Sequence, residues 1–227
     1  MTFSRYAIYF VPPAASDWGR FATAWLGWDV VDGAPVAHPQ AAGLDVAAIT
    51  EVPRKYGLHA TVKPPFRLAA GRDAADLHAA CTTLAATSAP VQLDGLQIAR
   101  LGRFLALRPR GDETALNALA AEWVQALDTF RAAPDAQELA KRRAAGLTPA
   151  QDENLSRWGY PYVMDQFRFH ITLTGKLDRD TGARAQAHLE KTLVPLLPTP
   201  FGIDALALVG EAGDGRFHLL HRYALSG

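Results

Sequence analysis

Two short runs carry the side chains that could do chemistry. Residues 54–66 read RKYGLHATVKPPF, and residues 165–177 read DQFRFHITLTGKL. Each has a histidine with a threonine two positions on: His59 with Thr61, and His170 with Thr172. Side chains alternate between the two faces of a strand. In the first run Gly57, His59, Thr61 and Lys63 then share one face, and Leu58, Ala60 and Val62 the other. In the second, Arg168, His170, Thr172 and Thr174 share one face, and Phe167, Phe169, Ile171 and Leu173 the other. The apolar face packs on helices. The polar face presents an imidazole, a hydroxyl and a cation, and nothing acidic.

Set across one cleft, the two polar faces suit a phosphate. Threonine hydroxyls donate to non-bridging oxygens, and Lys63 and Arg168 offset negative charge. Two histidines on opposite sides of phosphorus can divide an in-line displacement. One takes a proton from the attacking water and the other gives one to the leaving oxygen. With an unperturbed pKa near 6.5, histidine serves in either state around neutral pH. Tyr56 and Tyr162 flank the runs and are candidates to stack a base or sugar. Neither run has a second His, Cys or carboxylate at ligand spacing, so no metal site and no cofactor is expected.

The elements that must position these residues are visible around them. RYAIYFVPP (5–13) reads as an opening strand stopped by two prolines. Ser16 can cap a helix with Trp18, Phe21, Ala22 and Trp25 on one face. Residues 29–53 hold several glycines and prolines and are expected to be mostly loop. A helix over 73–88 buries Leu77, Cys81 and Leu84, which makes Cys81 a packing residue. Residues 91–109 read as a hairpin turning at 100–103, and 112–130 as an amphipathic helix. Residues 131–160 form a polar helical insert, with Thr148, Pro149 and Gln151 as a second helix start. Arg142 and Arg143 in this insert read as a solvated helix face, with a lid over an anionic substrate as the functional alternative. A helix over 180–194 and a hairpin turning at 213–215 complete the chain. His218 and His221 sit on that last hairpin at odd separation and read as structural or surface groups.

The chain also repeats itself. His59 and His170 are 111 positions apart; LDGLQI at 93 and IDALAL at 203 are 110 apart; RFLAL at 103 and RFHLL at 216 are 113 apart. Two copies of one unit, roughly 54–110 and 165–225, each run strand, helix, hairpin. The expected fold is α+β: two pseudo-symmetric lobes of antiparallel sheet plus helices around a central cleft. Ligand sites commonly lie at such interfaces.

The totals limit the partners. Of 227 residues 49% are hydrophobic, enough for one sizeable core. Lys+Arg and Asp+Glu balance at 23 each, which argues against a broad nucleic-acid or membrane surface but leaves room for a small anion. One cysteine forbids an intrachain disulfide and fits a reducing compartment. Only five apolar residues, Ala7 to Val11, precede Pro12, too few for a signal peptide or a membrane span. A cytoplasmic protein is expected, with a monomer favoured.

The paired motifs HATV and HITL resemble the 2H phosphoesterase superfamily, which includes RNA 2′,3′-cyclic phosphodiesterases and LigT-like proteins. The wider wording, YGLHATVKPPF with YPYVMDQFRFHITLTG, is similar to the branch encoded beside phosphonate-degradation genes. The resemblance covers both motifs, the repeat and the insert. It implies a bilobal fold with a central cleft, metal-independent chemistry and a cyclic phosphodiester or related ester as substrate. It makes His59 and His170 the acid/base pair, and Thr61 and Thr172 the phosphate binders. It leaves open which histidine is the base. A small ribose-phosphate or nucleotide substrate is expected, with an RNA terminus as the other phosphate source. The alternative function is a non-catalytic nucleotide or RNA-end binding module on the same scaffold.

Overall fold

The computed structural model describes residues 2–227. Strand β1 (Arg5–Phe10) is stopped by the two prolines, and Ser16 caps α1 (Asp17–Leu26) by accepting from the Gly19 N–H at 3.2 Å. The helix buries Trp18, Ala22, Trp25 and Leu26 and ends at Gly27, whose φ of 82° favours glycine. A short hairpin of β2 (Trp28–Asp29) and β3 (Ala34–Pro35) follows.

The stretch 29–53, expected to be mostly loop, contains a helix, α2 (Val46–Arg54). Asp45 caps it by accepting from the Ala48 N–H at 3.0 Å, and Val46, Ile49, Thr50 and Pro53 form its buried face. Pro53 has no N–H to give the carbonyl of Ile49. That carbonyl instead accepts from the Gly175 N–H at 2.7 Å, which ties α2 to the end of the second motif.

Then come β4 (Ala60–Phe66), α3 (Ala74–Thr87), β5 (Val91–Leu93), β6 (Gly95–Leu101), β7 (Phe104–Arg110) and α4 (Thr114–Ala126). The insert supplies α5 (Ala136–Arg143) and α6 (Pro149–Trp158). The α6 start is a capping box: Thr148 Oγ1 accepts from the Gln151 N–H at 3.3 Å, and the Gln151 side chain accepts from the Thr148 N–H at 3.1 Å. The chain finishes with β8 (Ile171–Thr172), α7 (Arg179–Thr192), β9 (Phe201–Ile203), β10 (Ala205–Glu211) and β11 (Phe217–Ala224).

The fold is α+β and the sheet is antiparallel throughout. Seven strands run in the order β11-β10-β1-β4-β8-β7-β6, and β5 pairs with β9. The first repeat's hairpin, β6-β7, lies beside the second repeat's β8. The second repeat's hairpin, β10-β11, lies beyond β1 on the side of β4. The two repeats therefore exchange hairpins, where the sequence expectation gave each repeat its own lobe. The two halves of the sheet meet between β4 and β8, at the single register pair Ala60↔Ile171. Helices α3, α4 and α7 pack on one face, against β10, β11, β4, β6 and β7. The main core lies there, including Ile8, Ala60, Val62, Leu107, Trp123, Ile171 and Leu208. The opposite face carries a smaller core, including Ala7, Tyr9, Val11, Val209 and Phe217, and beside it the site. No described helix is long and apolar enough to cross a membrane.

Candidate active site

The junction of the two sheet halves builds the site. Ala60 and Ile171 oppose each other and both point into the main core. One residue to either side, the same register sets His59 across from Thr172, and Thr61 across from His170. These four side chains point to the other face. Opposed residues in an antiparallel pair have Cβ atoms about 4.5–5.5 Å apart, and diagonal ones about 7–8 Å. Each histidine thus faces the other motif's threonine, and the two histidines lie on the diagonal. That is room for one tetrahedral group between them.

Both imidazoles are held the same way. His59 Nδ1 lies 3.0 Å from the Gly57 carbonyl, and His170 Nδ1 lies 2.8 Å from the Arg168 carbonyl. A carbonyl only accepts, so Nδ1 carries the proton in each ring. Nε2 is left as the working nitrogen on each. The first contact uses Gly57 at φ 69°, a left-handed conformation that glycine adopts at no steric cost.

The surroundings of the two rings differ. His59 stacks on Tyr9 at 4.0 Å between centroids and has Tyr56 at 5.6 Å. Burial in this aromatic wall pushes the His59 pKa down to about 4, with His170 adding to the fall and the Gly57 carbonyl opposing it. His59 is therefore neutral at pH 7. His170 has Phe104 as its ring neighbour, at 6.0 Å. Tyr9 is fully buried, and burial first, then the neighbouring Tyr56, holds its phenol well above the usual range.

His59, Thr61, His170, Thr172 and Tyr56 all line one cavity of about 450 Å³. Among the described residues no Asp or Glu lines it, while Arg5, Arg142 and Lys176 do. Three residues expected at the site are elsewhere. Lys63 is one. Tyr9 pairs with Thr61 but Ile8 pairs with Lys63, so a bulge in β4 intervenes. Opposed residues share a face, and Tyr9 and Ile8 point to opposite faces, so Thr61 and Lys63 do too. Lys63 is 2% exposed and donates to the Val124 carbonyl at 2.9 Å and to Asp128 at 3.3 Å. Burial pushes its pKa down to about 8, opposed by the Asp128 carboxylate. Arg168 keeps the expected strand phase, but its guanidinium folds back onto the carbonyls of Asp165 and Phe167 at 3.0 and 2.6 Å. Tyr162 is 47% exposed and meets Tyr160 edge-on, and Tyr160 takes the place in the cavity wall.

The position of Lys63 makes a testable point. Lys63→Met is expected to leave kcat/KM within about twofold of wild type. Asp128 keeps Arg131 at 2.8 Å, so no buried charge is stranded. Steady-state kinetics with a thermal melt check this; a large loss of kcat/KM in a folded protein would return Lys63 to the site.

Residues 61–218 match the model of a family described as protein of unknown function, DUF1045. That match spans more than half of the chain. The chain belongs to the DUF1045 family. This DUF1045 chain is 35% identical over 222 residues to a Janthinobacterium protein (strain Marseille) named ribose 1,5-bisphosphate phosphokinase PhnN, covering 93% of this chain and 48% of that one. It is 38% identical over 193 residues to a Laribacter hongkongensis protein of the same name, covering 83% and 45%. The chain thus spans about half the length of the curated relatives it matches. Among solved structures it resembles E. coli LigT complexed with 3′-AMP, at 17% identity, full coverage of both chains and a TM-score of 0.46. TT0787 of Thermus thermophilus gives 18% identity, 98% coverage of both chains and a TM-score of 0.46. With scores this low, the fold assignment rests on the strand order and register described above.

Several residues that line the cavity of the DUF1045 chain lie outside its two motifs. Tyr9 had a signal, since alternation in β1 puts it opposite Ile8. Tyr160 stood two positions from the tyrosine singled out. Arg5 shares that face of β1 with Tyr9; Phe104 and Lys176 had no local mark.

Proposed function

We propose that this protein is a metal-independent phosphoesterase that hydrolyses a small cyclic phosphodiester, by paired-histidine acid/base catalysis. The observation that carries the proposal is the crossed arrangement of His59 with Thr172 and His170 with Thr61. Both imidazoles are tied at Nδ1, and they share a cavity that no described carboxylate lines. The two threonine hydroxyls would donate to the non-bridging oxygens. A neutral His59 would take the proton from water through Nε2, and His170 would give a proton to the leaving ribose oxygen. Ring opening then leaves a phosphomonoester and a free hydroxyl.

The substrate class proposed is a 2′,3′-cyclic nucleotide or a cyclic ribose phosphate. The name borne by the two relatives concerns a phosphorylated ribose. It supports that class, and the phosphonate-linked branch of the 2H superfamily is the proposed setting. The paired histidines suit ester hydrolysis. A cytoplasmic setting and a monomeric state belong to the same proposal.

The assignment of His59 as base has a pH consequence. A general base works when deprotonated and a general acid when protonated, so the profile of kcat/KM should be bell-shaped, with its acid limb set by His59 and falling as pH drops through about 4. The test is the pH profile of kcat/KM for a 2′,3′-cyclic nucleotide in EDTA. An acid limb near 4 fits His59 as base. An acid limb near the ordinary histidine value of about 6.5 would contradict that assignment, and loss of turnover in EDTA would contradict metal independence.

A further inference from the structure

The cleft holds more cationic side chains than one phosphodiester can use. A cyclic phosphodiester carries one negative charge. Arg5, Arg142 and Lys176 line the cavity beside the histidines. Arg5 is largely balanced by a two-pronged bond to Glu211 at 2.5 and 2.6 Å. Arg142 and Lys176 remain.

Arg142 is built into the wall. It comes from α5 of the polar insert and lays its guanidinium over the Tyr160 ring at 4.9 Å. One terminal nitrogen donates to Glu138 at 3.1 Å. Glu138 is shared with Arg67 at 3.5 Å, and Arg67 also meets Asp135 at 3.6 Å, so the charge of Arg142 is largely balanced and what it keeps open is a bonding edge. The Nε–H of Arg142 is buried and has no acceptor. A buried donor without a partner costs about 1–3 kcal/mol and calls for an explanation. A ligand oxygen would supply the partner, and a guanidinium edge matches the oxygens of a phosphate. Arg143, its neighbour, faces the other way and pairs with Asp152 at 2.6 Å, so the insert presents one arginine to the cleft.

We propose that Arg142 binds a second phosphate of the substrate, so that the natural substrate carries a phosphomonoester in addition to the phosphodiester held between the histidines. A phosphomonoester brings about −1.5 to −2 of charge at neutral pH, and it would meet the open edge of Arg142 and the Lys176 ammonium. There is room for it. Beyond Arg5 and Pro65 the cleft adjoins a second cavity of about 410 Å³, bordered by Arg67, Arg131 and Lys141 and also by Asp135 and Glu138, so the place for the phosphate is on the Arg142 side of the cleft. The insert is then part of the substrate site. This inference rests on the hydrolase proposal for its reaction, but its binding claim stands apart.

The test compares adenosine 3′,5′-bisphosphate with adenosine 3′-monophosphate by titration calorimetry at fixed salt. Wild type, Arg142→Ala and Arg142→Lys are each measured. Wild type should bind the bisphosphate about 10- to 100-fold more tightly, the range expected of one charge-assisted contact. Arg142→Ala should bring the two affinities together, and Arg142→Lys, which keeps the charge but loses the fork, should fall between. Equal affinities in wild type would overturn the inference. So would a preference that survives Arg142→Ala, or no bisphosphate binding in the millimolar range. A parallel assay follows turnover of 2′,3′-cyclic AMP with and without a 5′-phosphate. If neither these nor a cyclic ribose phosphate is hydrolysed while the affinity difference holds, the hydrolase proposal fails and the second phosphate site stands.

Discussion

Replacing either His59 or His170 with alanine is expected to lower kcat for a cyclic phosphodiester by about 10² to 10⁴, with the fold kept. Each ring ends at the cavity and is tied at Nδ1 to the carbonyl two residues back; His59 also stacks on Tyr9, but neither ring lies in the main core, so the fold should survive its loss. The two losses should not multiply. Acid and base act in one displacement, and once one is gone the other has little left to do; the double variant should sit near the worse single one. Steady-state kinetics on the three variants check this, alongside a thermal melt. Independent, fully multiplying losses would mean the histidines serve separate steps. A loss below about tenfold from both would remove them from the chemistry.

The second large effect lies behind the site. Trp25 on α1 is completely buried, and its indole N–H donates to the Leu173 carbonyl at 2.9 Å, one residue past Thr172. It also stacks on His188 of α7 at 5.6 Å. Trp25→Ala is expected to cost about 3–5 kcal/mol through the cavity left behind, and to lower Tm by roughly 10 °C. Trp25→Phe fills most of the space but strands the carbonyl, a cost of about 1–3 kcal/mol. Because the bond anchors the strand that carries His170, the phenylalanine variant should also lose kcat more than KM. Denaturant unfolding and kinetics of both variants test the pair. A change under about 1 kcal/mol in Trp25→Ala would show that α1 does not hold the second motif.

Much of the scaffold was legible because its signals are local. The prolines after β1, Ser16, the Thr148 capping box and the glycine turns each act within a few residues, and the structure uses them where the sequence puts them. The pairing of His59 and His170 was legible because the motif is written twice in the same strand phase. Helix α2 was not, because Gly and Pro around it suggest loop. What makes it a helix is the Asp45 cap and a distant partner, Gly175, for the carbonyl that Pro53 leaves open. Lys63 was misplaced because a bulge breaks strict alternation, and a bulge leaves no mark in a single sequence. Arg142 could not be told from a solvated arginine, since a polar helix has no apolar stripe to show which side faces inward. The exchange of hairpins between repeats was invisible for a related reason: a repeat shows that two units are alike, not which neighbours their strands choose.

The central claim is that this cleft opens a cyclic phosphodiester with two histidines and water. The most direct measurement is phosphorus NMR of purified protein in EDTA with 2′,3′-cyclic nucleotides and a cyclic ribose phosphate, run beside His59→Ala and His170→Ala. Wild type should convert at least one cyclic resonance to a monoester, and neither variant should do so at a comparable rate. Binding shifts across the whole panel with no monoester formed would contradict that claim, and would leave a protein that holds a phosphate ester without turning it over.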